Sequence, residues 1–202
     1  MNKDPELDLL IISNLADLDA TARQIEAIEQ RVWTQIAERM EQWAERKGWL
    51  GSYETDSDIW IAPNEWKQSD DDQLGWFAMG FGPGDSGNGL EGETYFHLAR
   101  LAGVGGGRLC IWLGFDGIKR SAWRRAFRSA AEKGDTAGFA FDENDGLYFD
   151  CTPPTGSLAE AVAEDDFDIA FALLDRALDT AHAGRLTFER LLKEARDSRL
   201  TS

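Results

Sequence analysis

Five consecutive apolar residues, Leu109-Cys110-Ile111-Trp112-Leu113, stand between Gly105-Gly106-Gly107-Arg108 and Gly114. A run so short, closed by glycines on both sides, predicts a central strand covered on both faces. The rest of the chain must then pair with that strand or cover it. At 202 residues and 43% hydrophobic content, the chain has material for one core that buries about 70% of the unfolded surface. One domain over residues 1–202 is therefore expected.

Ahead of this strand the pattern is helical. Asp4-Pro5-Glu6 is a helix start, with Asp4 as N-cap, Pro5 in the first helical position and Glu6 near the positive helix end. The first helix would carry Leu7, Leu10, Ile11 and Leu15 on one face. From about Ala20 to Lys47, Ile25, Ile28, Val32, Ile36, Met40 and Trp43 recur at steps of three and four, and Gly48 is placed to end the helix. With only about three heptads available, the stripe reads as a face laid on a globular core, ahead of a dimerising coiled coil.

After Gly48 the period shortens. Ile59-Trp60-Ile61, Leu74 to Phe81, Tyr95-Phe96-His97-Leu98 and the 109–113 run read as strands joined by loops too short for crossover helices. A helix over about Arg120 to Glu132 buries Ala122, Trp123, Ala126, Phe127 and Ala130. Gly138 to Phe141 and Leu147 to Cys151 form a hairpin around Asp142-Glu143-Asn144-Asp145-Gly146, with its Asp-Gly turn. Pro153-Pro154 ends the sheet, and the remainder reads as a short helical segment from Ser157, then helices over Phe167 to His182 and Leu186 to Arg196. Because strands are grouped and do not alternate with helices, the expected class is α+β. The expected layout is an antiparallel meander of about six strands between N-terminal helices (1–48) and C-terminal helices (153–202), with a basic helix inserted in the sheet region (49–152).

Charge is the strongest compositional signal. The net charge is -16, yet residues 95–134 hold 8 basic and 2 acidic groups, whereas residues 49–94 hold 1 and 10. A positive island in an acidic chain is a polarised field able to orient a partner. It centres on Lys119, Arg120, Arg124, Arg125 and Arg128, a ridge on one side of a helix whose other side carries Trp123 and Phe127. Guanidinium groups so arrayed suit phosphates or carboxylates, and the competing reading is a solvated face neutralised by acids of the same molecule. Direct nucleic-acid binding is disfavoured because the whole molecule would repel a polyanion.

Other motifs resolve into ordinary structure. Gly84-Asp85-Ser86-Gly87 resembles the nucleophile motif of trypsin-like serine proteases, but His97 and His182 both follow it, the reverse of that family's order, so a glycine-rich turn is the better account. Neither glycine cluster leads into the Lys-Ser or Lys-Thr of a phosphate loop. The 142–146 turn has the start of a calcium loop without its closing glutamate. Cys110 and Cys151 read as buried reduced thiols, and no cofactor or metal is expected. The acidic start before a short apolar run is unlike a signal peptide, and no stretch approaches the roughly 20 apolar residues of a membrane span, so a cytoplasmic protein without membrane contact is expected.

Trp60 and Trp66 beside Asp70, Asp71 and Asp72 suggest an aromatic patch rimmed by acids, suited to a protein partner. Asp58 with Glu65-Trp66-Lys67 has the Glu-x-Lys spacing of a metal-dependent nuclease, but follows Pro63 in an apparent loop and lies in no apolar strand. The long helix leading to Gly48-Trp49, then Trp60-Ile61-x-Pro63-x-x-Trp66 and an aromatic sheet, resembles accessory regions of bacterial proteins that carry PD-(D/E)XK nuclease domains. That resemblance covers the middle third of the chain and implies no site residue. The functional expectation is a non-enzymatic acidic interaction module, an inhibitor or adaptor that mimics nucleic acid before a basic or nucleic-acid-associated protein. The alternatives are a nuclease or nuclease-accessory domain built on Asp58, Glu65 and Lys67, or nucleic-acid binding through helix 119–128.

Overall fold

The computed structural model describes residues 4–55, 58–68, 73–82 and 97–197. In chain order these form α1 (Pro5–Ser13), α2 (Leu15–Lys47), β1 (Trp49–Ser52), β2 (Trp60–Pro63), β3 (Trp76–Phe81), α3 (His97–Leu101), β4 (Leu109–Gly114), α4 (Arg120–Glu132), β5 (Ala140–Asp142), β6 (Gly146–Asp150), α5 (Thr155–Glu164) and α6 (Ala172–Asp197). The class is α+β, with one antiparallel six-stranded sheet in the order β1-β2-β3-β4-β6-β5. Among the described residues no helix is long and apolar enough to cross a membrane.

The long helix forms for the reasons visible in its sequence. Val32, Ile36, Met40 and Trp43 are buried at the expected spacing, and Gly48 closes α2 in the left-handed conformation at φ 69°, with Arg46 and Lys47 in the negative last turn. Asp4 caps α1 by accepting from the Leu7 N–H at 3.1 Å.

One face of the sheet holds Phe77, Phe139, Ile111, Phe149 and Leu147. Against it lie Trp43 of α2 through Trp49, Phe188 of α6, and Phe127 of α4 through Phe115. Ring centroids 4.9 to 5.8 Å apart in this group are the spacing at which aromatic quadrupoles attract edge to face. A second tie joins α2 to the start of α6. The Arg39 guanidinium grips Asp175 with two bonds of 2.7 and 2.8 Å and reaches Asp168 at 3.1 Å, while the Trp43 indole donates to Asp179. The Asp175 bonds, opposed by partial burial, raise the Arg39 pKa.

Four expectations change. Trp49–Ser52 is a strand, pairing along β2 from Trp49↔Pro63 to Ser52↔Trp60. The strand expected over 95–98 does not form at its described end: His97–Leu101 is a short helix, and residues 95 and 96 lie outside the described residues. The last hairpin inserts β6 beside β4 and leaves β5 at the edge, because Ile111 and Trp112 pair with Phe149 and Tyr148. The last two expected C-terminal helices are one, α6, which begins at Ala172 and runs through Gly184. The glycine is kept there by packing: a Cβ at 184 would overlap Ala137 and crowd the Phe188 ring. Both cysteines are free and buried, and burial, with Cys110 and Asp150 nearby, pushes the Cys151 thiol well above its ordinary range.

Candidate interaction surface

α4 is amphipathic in the way its sequence requires. Ala122, Trp123, Phe127 and Ala130 are buried, and the intervening turns turn cations outward. Lys119 stands at the N-cap without a side-chain cap, and no acid occupies the first turn, so the helix end adds to the positive field around Arg120.

The β5–β6 turn arranges these cations. The Asp142 carboxylate accepts the N–H groups of Asn144 and Asp145 at 2.7 and 3.1 Å, which fixes the turn and aims the Asn144 amide at α4. Asn144 Oδ1 then accepts from Arg120 at 3.3 Å and from Arg124 at 3.1 Å. Glu143 of the same turn pairs with Arg128 at 2.9 Å. Arg124 also lies 5.7 Å from the Trp123 ring, and its buried Nε has no acceptor. Lys119 and Arg125 are exposed and make no ion pair among the described residues. Of the five expected ridge residues, Arg128 alone meets a carboxylate among the described residues; Arg120 and Arg124 share a neutral oxygen, which orients them and leaves their charge in place.

The expected acidic and aromatic patch is only partly assembled. Trp66 is 1% exposed, with its ring 5.6 Å from Phe77, and belongs to the core. Trp60 is half-buried on the opposite sheet face, across from Ala78. Asp70, Asp71 and Asp72, like the Gly84–Gly87 motif, lie outside the described residues. Glu65 sits in a 3-10 turn after β2 with its carboxylate 3.3 Å from Arg185 of α6, Asp58 is exposed ahead of β2, and Lys67 bridges to Gln73. The three groups of the nuclease alternative are thus in loop and turn structure, with the glutamate committed to an arginine. Among the described residues no three His, Cys, Asp or Glu side chains converge as a metal site.

The sheet face away from the helices was not legible as a surface. Trp76, Trp112 and Tyr148 lie on it half-buried, so the central strand, expected to be covered on both faces, is partly open on the side of Trp112. Glycines make the room: a Cβ at Gly114 would strike the Trp76 indole, and one at Gly80 would press on Trp112. Trp112 donates from its indole to the Phe81 carbonyl at 3.0 Å and tilts against Tyr148, whose ring in turn lies 6.0 Å from Arg108. A cleft of about 510 Å³ runs from Trp76 and Trp112 to Asn144, so this aromatic face and the α4 ridge meet at the β5–β6 turn. The apolar run of β4 concealed this, since nothing in it distinguishes the covered side from the open one. Comparison with protein-family models, curated proteins and solved structures gave no match to this chain.

Proposed function

We propose that the protein is a non-enzymatic acidic interaction module that acts on a basic, nucleic-acid-handling protein as an inhibitor or adaptor. Its carboxylate-rich exterior competes with nucleic acid for that partner, and the α4 ridge sets the orientation of the complex. One observation supports the reading above others: in a chain of net charge -16, Arg120 and Arg124 are held in register by the neutral Asn144 amide. On this reading a basic ridge interrupts an otherwise acidic exterior, so that charge of the two signs is separated over the surface. Separation of this kind steers encounter and fixes docking register more than it adds affinity.

The test is capture from a nuclease-treated bacterial lysate across a salt series, with wild-type protein and with the Arg124→Glu/Arg125→Glu variant. Basic or nucleic-acid-associated partners, released as salt rises and lost in the variant, are expected. Partners of neither kind overturn the proposal. Mg²⁺-dependent cleavage of DNA or RNA that disappears in Glu65→Ala replaces it with the nuclease alternative. A shift of short duplexes whose salt slope flattens in the arginine variant replaces it with direct nucleic-acid binding.

A further inference from the structure

The N-terminal arm presents apolar surface that the rest of the described molecule leaves bare. Between Asp4 and Gln24 every residue except Ala22 is exposed, and no residue of α1 is buried. Seven large apolar side chains fall in this stretch, among them Leu9 and Ile12 at 69% exposure, Leu10 at 61% and Leu15 at 57%. Among the described residues, the arm joins the body only where Ile28 packs against the core, where Glu29 accepts from the Leu98 N–H, and beyond. At 1.5 Å per residue it has the length of about 30 Å of helix, interrupted at Asn14.

A helix with no tertiary partner is marginal in water, and one that is apolar nearly all round belongs inside a larger assembly. Leu7, Ile11, Leu15, Leu18, Ala22, Ile25 and Ile28 follow one another at steps of three and four, and the series continues without a break into Val32, Ile36 and Met40, which are buried. The seam that docks α2 on the sheet therefore extends past the edge of the core, with the spacing at which two helices interlock. Leu10 widens it on α1, while Leu9 and Ile12 fall on the far side of that helix.

We infer that the arm pairs with the arm of a second copy of this chain. The area fits: the five exposed side chains on the seam side, Leu7, Leu10, Ile11, Leu15 and Leu18, present roughly 450 Å² of apolar surface, so two copies with their polar flanks would bury on the order of 1,200 Å², the lower bound for a stable interface. A two-fold pairing of one patch with itself is also the commonest route to an oligomer. The arm is not a membrane anchor by charge, because Asp4, Glu6, Asp8, Asp17 and Asp19 rim it and anionic lipid would repel them. The same carboxylates give the pair a signature. Each copy carries a net charge of -16, so repulsion opposes assembly and added salt, by screening it, tightens the dimer. A salt-labile contact with a basic partner responds in the opposite sense, so this inference stands apart from the function proposed above.

Sedimentation velocity over a concentration series at low and high salt tests it. The expected result is a species of twice the 22.5 kDa chain mass whose dissociation constant falls several-fold on raising the salt. Ile11→Asp/Leu18→Asp should weaken it at least tenfold, while the thermal unfolding of the body stays unchanged because neither side chain touches the core. A monomer at every concentration and salt overturns the inference. So does a dimer indifferent to the double variant, or a monomer that co-sediments through this arm with vesicles of anionic phospholipid.

Discussion

The two halves of the N-terminal helical region carry one periodicity and meet opposite fates. Val32, Ile36, Met40 and Trp43 are at most 3% exposed, whereas the large apolar side chains from Leu7 to Leu18 are 39 to 69% exposed. The difference is in what stands opposite. The buried half faces Trp49, Phe81 and α6 and is tied down by Arg39 on Asp175, while the exposed half faces solvent. A stripe of apolar residues states that a face will be covered; what covers it is decided by topology.

The largest expected effect sharpens that contrast directly. Ile36→Ala should cost about 2–5 kcal/mol in urea denaturation, since it opens a cavity in a fully buried site, whereas Leu18→Ala, measured on dilute protein, should stay within about 0.5 kcal/mol. Equal losses at the two positions would erase the distinction.

Next in size is Gly184→Ala. The added methyl meets Ala137 and Phe188 at the contact of α6 with the loop before β5, and overpacking of this kind costs about 1–3 kcal/mol, read as a lowered melting temperature. Arg39→Ala should cost about 1 kcal/mol, limited because Asp175 and Asp168 remain solvent-accessible. A double-mutant cycle with Asp175→Ala should recover most of that as coupling, and zero coupling would mean that Trp43 and its neighbours alone hold α2.

The smallest effect is one of pH. His182 lies against Trp43 and Trp49, and burial, assisted by Lys47 and Arg185 and opposed by Asp179 and Glu65, lowers its pKa below the ordinary 6.5. The folded state therefore binds the proton less readily than the unfolded chain. Its contribution is complete above pH 6.5 and is lost as pH falls from there through the depressed value. Urea midpoints between pH 7.5 and 5 should decline less steeply in His182→Gln than in wild type.

Much of the architecture was legible because it rests on local pattern. The α2 stripe, the stop at Gly48, the amphipathic α4 and the Asp142–Gly146 turn all follow from spacing and turn chemistry. What was hidden depends on the tertiary partner. Trp66 reads as surface because acids surround it in sequence, yet it fills the core beside Phe77. Trp112 reads as core because its neighbours are apolar, yet strand alternation turns it to the open face. His97–Leu101 is too short for periodicity to separate helix from strand. The basic ridge was visible from composition, but the part of Asn144 in it was not, since an amide acquires that role only when the hairpin folds over α4.

The claim that one seam has two fates is most directly tested by amide hydrogen exchange along α1 and α2 at low and high protein concentration. The account predicts that amides over 32–47 exchange slowly at both, while those over 5–25 exchange fast when dilute and become protected as concentration and salt rise. Protection of 5–25 equal to that of 32–47 in dilute protein, unchanged by concentration, would contradict it.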